Sequence, residues 1–215
     1  MNVEIIPVTA FQQNCSIVWD EQKTAAIIDP GGEAEKLIAF IEEHQLNLQK
    51  ILLTHGHLDH VGAADKLKKH FQVEIYGPHF ADKFLFDSLP EQSRRFGLFE
   101  AEVFYPDHWL NKEGETVSVG EIKFEILHLP GHTPGHIGFI ERQKNVAFSG
   151  DVLFYNSVGR TDFPRGDHQQ LLSSIREKLF KLNDDMIIIA GHGSATKIGI
   201  EKQSNPFLKS FRVQS

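Results

Sequence analysis

Short apolar runs broken by turn residues dominate the first quarter of the chain. Residues 3–7, 15–19 and 24–29 read as β-strands, and Asp29-Pro30-Gly31-Gly32 then gives a strong turn signal. Leu37, Ile38 and Ile41 recur at helical spacing, which predicts a helix over 33–44. Residues 49–53 form the next strand. Over 60–70, Val61, Ala64 and Leu67 share one side while Lys66, Lys68 and Lys69 occupy others, predicting a second helix with Asp59 at its N-cap. A short strand over 73–76 follows. Residues 78–112 show no clean period; their aromatic residues, from Phe80 to Trp109, predict short helices and loops that pack as core or as a covering flap, with the lining of a substrate groove as the lesser alternative.

The second half starts again with strands, over 116–119, 122–128, 136–141 and 146–148. A helix over 167–182 presents Leu171, Leu172, Ile175 and Leu179 on one face, and a strand over 186–190 closes the pattern. Strands, helix, strand and helix therefore occur twice. That predicts a layered α/β fold of two similar halves packed face to face, with loops of both halves meeting at one edge. No linker or low-complexity stretch interrupts the chain, so one domain over 1–215 is expected.

Four predicted strands end in residues of one chemical type. The strand over 49–53 runs into Thr54-His55-Gly56-His57-Leu58-Asp59-His60, three imidazoles and a carboxylate within six residues. His55 and His57, two apart on extended backbone, point to the same side, and Gly56 between them tolerates dihedrals that other residues avoid. Taken alone, such a run is also compatible with a solvated turn or a pH-sensitive cluster. Three further strand ends tip the balance towards metal: Pro130-Gly131-His132-Thr133-Pro134-Gly135-His136, Ser149-Gly150-Asp151 and Gly191-His192-Gly193. In each, a glycine directly precedes the candidate ligand and permits a sharp turn. His55, His57 and His132 can hold one ion, Asp59, His60 and His192 a second, and Asp151 can bridge the two. Imidazole and carboxylate without thiolate suit Zn²⁺, with Fe or Mn²⁺ as alternatives, rather than a closed structural site. His136 reads as a support for these groups rather than a ligand.

Composition narrows the remaining choices. The chain of 215 residues carries 22 Lys and Arg against 29 Asp and Glu, a formal net charge of -7, which disfavours nucleic acid and anionic membrane as partners. One cysteine, Cys15, allows no internal disulfide; it lies in an apolar stretch and reads as a small core residue. No signal peptide and no membrane span are evident, so a cytoplasmic location is expected.

The run from Thr54 to His60, followed in order by His132, Asp151 and His192, resembles the metallo-β-lactamase superfamily over nearly the whole chain. The resemblance implies a four-layer αββα sandwich with two metal ions at one edge. Gly159-Arg160-Thr161-Asp162-Phe163 and the 130–136 segment are similar to the glyoxalase II (hydroxyacylglutathione hydrolase) group, in its small bacterial single-domain form. Larger members carry a C-terminal helical region that helps bind glutathione, and only a short tail follows Gly193 here. They also place a lysine and a tyrosine on glutathione; Arg160 stands in the lysine's place as a substrate-binding residue, and Asp162 in the tyrosine's. Hydrolysis is therefore implied more firmly than glutathione specificity.

The implied reaction cleaves a thioester such as S-lactoylglutathione. Two cations about 3.5–4 Å apart share a water and lower its pKa, the resulting hydroxide attacks the carbonyl carbon, and a metal stabilises the oxyanion. Asp59 binds metal and orients the hydroxide. The runner-up is a persulfide dioxygenase holding one iron through two His and one Asp; lactonase, β-lactamase and nuclease activities rank lower. A non-catalytic metal-binding protein is the minority reading, since closed structural sites usually use thiolates.

Overall fold

Each apolar run of the first half pairs with its neighbour in chain order. In the computed structural model, which describes residues 1–208, β1 (Asn2–Val8), β2 (Gln13–Trp19) and β3 (Thr24–Ile28) form an antiparallel meander. Helix α1 (Ala34–Glu43) crosses over to β4 (Asn47–Leu52), parallel to β3; α2 (Leu58–Val61) and α3 (Ala64–Phe71) cross to β5 (Glu74–Tyr76), parallel to β4. Two further helices, α4 (Lys83–Asp87) and α5 (Leu89–Phe96), precede the second half.

There β6 (Thr116–Val119), β7 (Ile122–His128), β8 (Ile137–Glu141) and β9 (Val146–Gly150) pair antiparallel in sequence. A small hairpin, β10 (Leu153–Phe154) and β11 (Ser157–Val158), leads to α6 (His168–Glu177). The chain then returns as β12 (Ile187–Ala190), parallel to β9, with β13 (Thr196–Lys197) beside it and α7 (Ile198–Ser204) after it. The sheets have the orders β1-β2-β3-β4-β5 and β13-β12-β9-β8-β7-β6.

Burial defines four layers. Val18, Ile28 and Leu52 from the first sheet meet Phe124, Phe139 and Phe148 from the second in one buried cluster. The opposite face of the first sheet packs Ile17, Ile27 and Ile51 with Leu37, Ile41 and Leu67 of α1 and α3. The opposite face of the second packs Ile140 and Ile188 with Leu171, Ile175 and Ile198 of α6 and α7. This is the αββα sandwich. Cys15 is fully buried in the first outer cluster, as expected of a small apolar residue. No helix among the described residues is long and apolar enough to cross a membrane. The last part of the expected 1–215 domain, residues 209–215, lies outside the described residues.

Two local expectations are corrected. The helix expected over 60–70 starts earlier and breaks at Gly62 into α2 and α3, because the Ala63 N–H is taken by the Pro30 carbonyl at 2.9 Å. Asp59 consequently lies in the first turn of α2, and the N-cap is His57 in extended conformation. The helix expected over 167–182 ends as α6 at Glu177 and continues as a single tighter turn at Leu179–Lys181; Asp167 caps it, accepting from Gln170 N–H at 3.0 Å.

Candidate metal centre

Parallel strands deliver their C-terminal ends to one side of a sheet, and both sheets contribute such ends to the same edge. Asp29 follows β3, His55 to His60 follow β4, Asp151 follows β9 and His192 follows β12. Backbone bonds lock these ends together: Gly191 N–H to Gly150 carbonyl at 2.9 Å, Asn14 N–H to Gly191 carbonyl at 2.7 Å, and Ile137 N–H to Thr54 carbonyl at 2.8 Å. Gly150 turns the chain into Asp151 at φ 50, and a Cβ there would stand 2.6 Å from both His136 Nε2 and Thr54 Oγ1. Gly56 is needed for the side chain it lacks rather than for its dihedral freedom. Its φ is not positive; a Cβ would strike Leu85 Cβ at 2.8 Å and Phe86 Cε2 at 2.9 Å.

His55, His57 and His132 come together. His55 Nε2 lies 3.1 Å and His132 Nε2 3.0 Å from His57 Nδ1. The outer nitrogens fix the protons. His132 Nδ1 lies 2.6 Å from the Arg160 carbonyl, which only accepts, so it carries the hydrogen. Thr54 Oγ1 donates to Asp29 Oδ2 at 2.5 Å and therefore accepts from His55 Nδ1 at 3.0 Å. A neutral imidazole has one N–H, so two inner nitrogens aim bare lone pairs at His57. The edge of a tetrahedron with Zn–N bonds of about 2.0–2.1 Å is roughly 3.3 Å, close to the observed separations. These three nitrogens fit a cation at their centre.

Asp59, His60 and His192 form a second group whose ligand atoms lie within 4.8 Å of one another. His60 Nδ1 donates to Asp29 Oδ2 at 2.9 Å, which leaves its buried Nε2 facing the cavity with no hydrogen-bond partner. His192 Nε2 lies 3.2 Å from Asp59 Oδ2, and its Nδ1 faces the Phe11 carbonyl. Asp151 reaches both groups: Oδ1 is 3.4 Å from His60 Nε2, and Oδ2 is 3.7 Å from both His132 Nε2 and His192 Nε2. Asp29, His55 and His60 also cluster, but Asp29 meets His60 on the nitrogen turned away from the cavity, so it reads as an orienting carboxylate.

The metal-free electrostatics split the two groups. Burial and neighbouring imidazoles hold His55 well below the ordinary histidine value and His57 down at about 3, and burial also lowers His132. Burial likewise disfavours charge on His60, but Asp151, Asp59 and Asp29 outweigh it and raise it well above the ordinary value. His192 is raised despite its burial by Asp59 and Asp151. Asp151, although buried, is held far down the carboxylate range by His60, His132 and His192.

Two functional side chains had little or no signal in the sequence. Asp29 looked like a turn residue; at φ 51 its carboxylate instead points back to accept from Thr54 N–H at 2.7 Å, Thr54 Oγ1 and His60. Asp82 lies in the aperiodic 78–112 stretch. Fully buried, it accepts from Gly135 N–H at 2.6 Å, Thr133 Oγ1 at 2.8 Å and Gly56 N–H at 3.1 Å, and so ties the loop of His55 and His57 to the loop of His132. His136 supports the site as expected: it stacks on His55 at 4.7 Å, and its Nε2 accepts the Asp151 N–H at 3.0 Å.

A cavity of about 630 Å³ opens onto the centre through His57, Asp59, His132, Asp151 and His192. Phe11, Phe96, Leu98, Phe154 and Val158 supply an apolar wall, so α5 and the hairpin shape it. Arg160 lines the rim, where its guanidinium forms a bidentate pair with Asp162 at 3.0 and 2.7 Å.

Comparison with known proteins agrees with this architecture. Residues 8–192 match the family model of the metallo-beta-lactamase superfamily. The chain is 70% identical over 210 residues to hydroxyacylglutathione hydrolase GloC of Haemophilus influenzae, covering 98% of this chain and 99% of that protein. Among solved structures it is similar to the BLEG-1 B3 metallo-beta-lactamase, with 38% identity, a TM-score of 0.90 and coverage of 97% and 100% of the two chains. It is also similar to TTHA1623 in a di-iron-bound form, with 36% identity, a TM-score of 0.87 and coverage of 95% and 100%.

Proposed function

The chain belongs to the metallo-β-lactamase superfamily, and from that premise we propose that it is a metal-dependent hydrolase that cleaves a glutathione thioester such as S-lactoylglutathione to a hydroxy acid and a thiol. Its near full-length identity of 70% to a hydroxyacylglutathione hydrolase supports the substrate class. The observation that carries the metal requirement is the convergence of bare imidazole lone pairs at 3.0 and 3.1 Å beside the unpartnered His60 Nε2 and Asp151 Oδ1.

His55, His57 and His132 would hold one divalent ion, Asp59, His60 and His192 another, and Asp151 would contact both, most simply as Zn²⁺. Once bound, the pair supplies Lewis acidity that lowers the pKa of a shared water and polarises the thioester carbonyl. The protein's own groups set the geometry around that chemistry. Asp59, which lines the cavity, would orient the attacking water by accepting its hydrogen bond. Asp29 and the Arg160 carbonyl hold His60 and His132 in the tautomers that leave Nε2 free. The apolar wall keeps bulk water from the reacting carbon, and Arg160 at the rim meets a substrate carboxylate in exchange for Asp162.

The test is a substrate panel on metal-analysed protein: S-lactoylglutathione, other thioesters, a lactone, a β-lactam and glutathione persulfide. Thioester hydrolysis that disappears with chelation and returns with metal is expected. One iron per chain with oxygen uptake on the persulfide would overturn the reading.

The divided electrostatics give a pH prediction. At pH 7 the depressed His55, His57 and His132 are already neutral, so filling their site releases almost no proton. His60 and His192 are both shifted towards their charged forms in the metal-free protein, so loading their site releases more proton than loading the first. As pH falls the second site should therefore empty first. Calorimetry of Zn²⁺ loading in buffers of different ionisation enthalpy measures this; equal proton release for both equivalents would contradict it.

A further inference from the structure

A second groove of about 240 Å³ runs from His57 between α5 and the 163–164 segment, sharing Phe96 and Phe163 with the larger cavity. Glu91 and Arg95 project into it from α5, four residues apart and so on the same helix face. Acid and base at this spacing pair elsewhere in the chain, as in Lys83 with Asp87 and Lys69 with Asp65. Glu91 and Arg95 form no ion pair, with each other or with any other described residue. Among the described residues, the guanidinium of Arg95 approaches the Phe96 ring, at 5.7 Å. The guanidinium of Arg165 lies 4.2 Å from the ring of Phe84, a residue of the groove wall, and adds positive charge nearby.

An unpaired carboxylate and guanidinium one helical turn apart match the ammonium and carboxylate of an α-amino-acid head. Glutathione presents that head on its γ-glutamyl residue, about 7 Å from the cysteine along an extended chain. A thioester carbon held at the centre beside His57 leaves the thiol portion to enter this groove. We propose that the groove is the subsite for the γ-glutamyl head of the thiol, with Arg95 taking its carboxylate and Glu91 its ammonium; the proposal rests on the glutathione-thioester reading above. Arg160, whose guanidinium lies 4.7 Å from the ring of Phe163 at the join of the two cavities, is then left for the glycyl carboxylate. Recognition that larger family members draw from a C-terminal helical region would here come from the helix inserted between the two halves.

The metal-loaded enzyme tests this with two lactoyl thioesters, one of glutathione and one of N-acetylcysteamine, which has no amino-acid head. Arg95→Gln should lower the preference for the glutathione thioester, the ratio of the two kcat/KM values, about tenfold, mainly through KM. Glu91→Gln should lower it by a smaller factor. Binding of S-methylglutathione, which cannot be hydrolysed, is measured in parallel and should weaken about tenfold in Arg95→Gln. An unchanged ratio, or equal loss on both thioesters, would overturn the subsite. No hydrolysis of either thioester, with S-methylglutathione still bound through Arg95, would sink the thioesterase reading and leave the subsite standing. Wild-type protein that fails to bind S-methylglutathione would overturn the subsite itself.

Discussion

Replacing Asp151 with asparagine is expected to cut thioester turnover by at least about a thousandfold, or ~4 kcal/mol of transition-state stabilisation. Asp151 directs one oxygen to His60 Nε2 and the other to His132 Nε2 and His192 Nε2, at 3.4 to 3.7 Å. An asparagine keeps the shape but removes the negative charge, and it aims N–H groups where the proposed arrangement needs an electron pair. The protein should still fold. The Asp151 N–H still reaches His136, the Gly150 turn is untouched, and His60 keeps Asp29 and Asp59 as partners. Kinetics, metal content and circular dichroism on the purified variant separate these outcomes. A variant with two metals and activity within tenfold of wild type would end the bridging role for Asp151.

What could be read in the chain, and what could not, follows from the range over which each feature is determined. His55 to His60 announce themselves because four ligand-type side chains crowd six residues. His132, Asp151 and His192 are legible because each follows a glycine at the end of an apolar run. The layered architecture is legible for a similar reason: strand and helix periods are local, and the apolar faces they create leave few ways to stack. Features set by distant partners are not. The break at Gly62 depends on the Pro30 carbonyl capturing an N–H that helical periodicity assigns to the next turn. Asp29 acquires its role from a left-handed backbone that turns the carboxylate inward. Gly56 is set by the packing of α4, which no local pattern predicts. The aromatic scatter over 78–112 hid two roles at once, core for Phe86 and cavity wall for Phe96, because α4 is only five residues long and α5 buries Gln92 and Ser93 beside Leu89, so neither shows a run of apolar positions.

Asp82 is where those long-range determinants converge, and its removal should be the most damaging change outside the proposed ligands. Its carboxylate collects three donors from positions 26 to 53 residues away. Burial pushes its pKa up to about 7, against the pull of those hydrogen bonds. The group is therefore costly to bury, and each bond contributes towards the low end of the usual range. Asp82→Ala strands two backbone N–H groups and a hydroxyl in the interior, at a cost of about 1 kcal/mol each or ~3 kcal/mol in all. For a chain of this size that lowers Tm by roughly 6–12 °C. The second consequence is specific to the site. With the tie gone, the loops of His57 and His132 are free to drift apart, and metal affinity should fall about 10- to 100-fold. Asp82→Asn should land between alanine and wild type, since its single carbonyl oxygen can keep the Gly135 bond while its amide group faces the Gly56 N–H. Zn²⁺ affinity from chelator competition, measured where all three proteins are folded, distinguishes positioning from bulk stability. An alanine variant that melts early yet binds Zn²⁺ as tightly as wild type would show that the two histidine loops keep their spacing without Asp82.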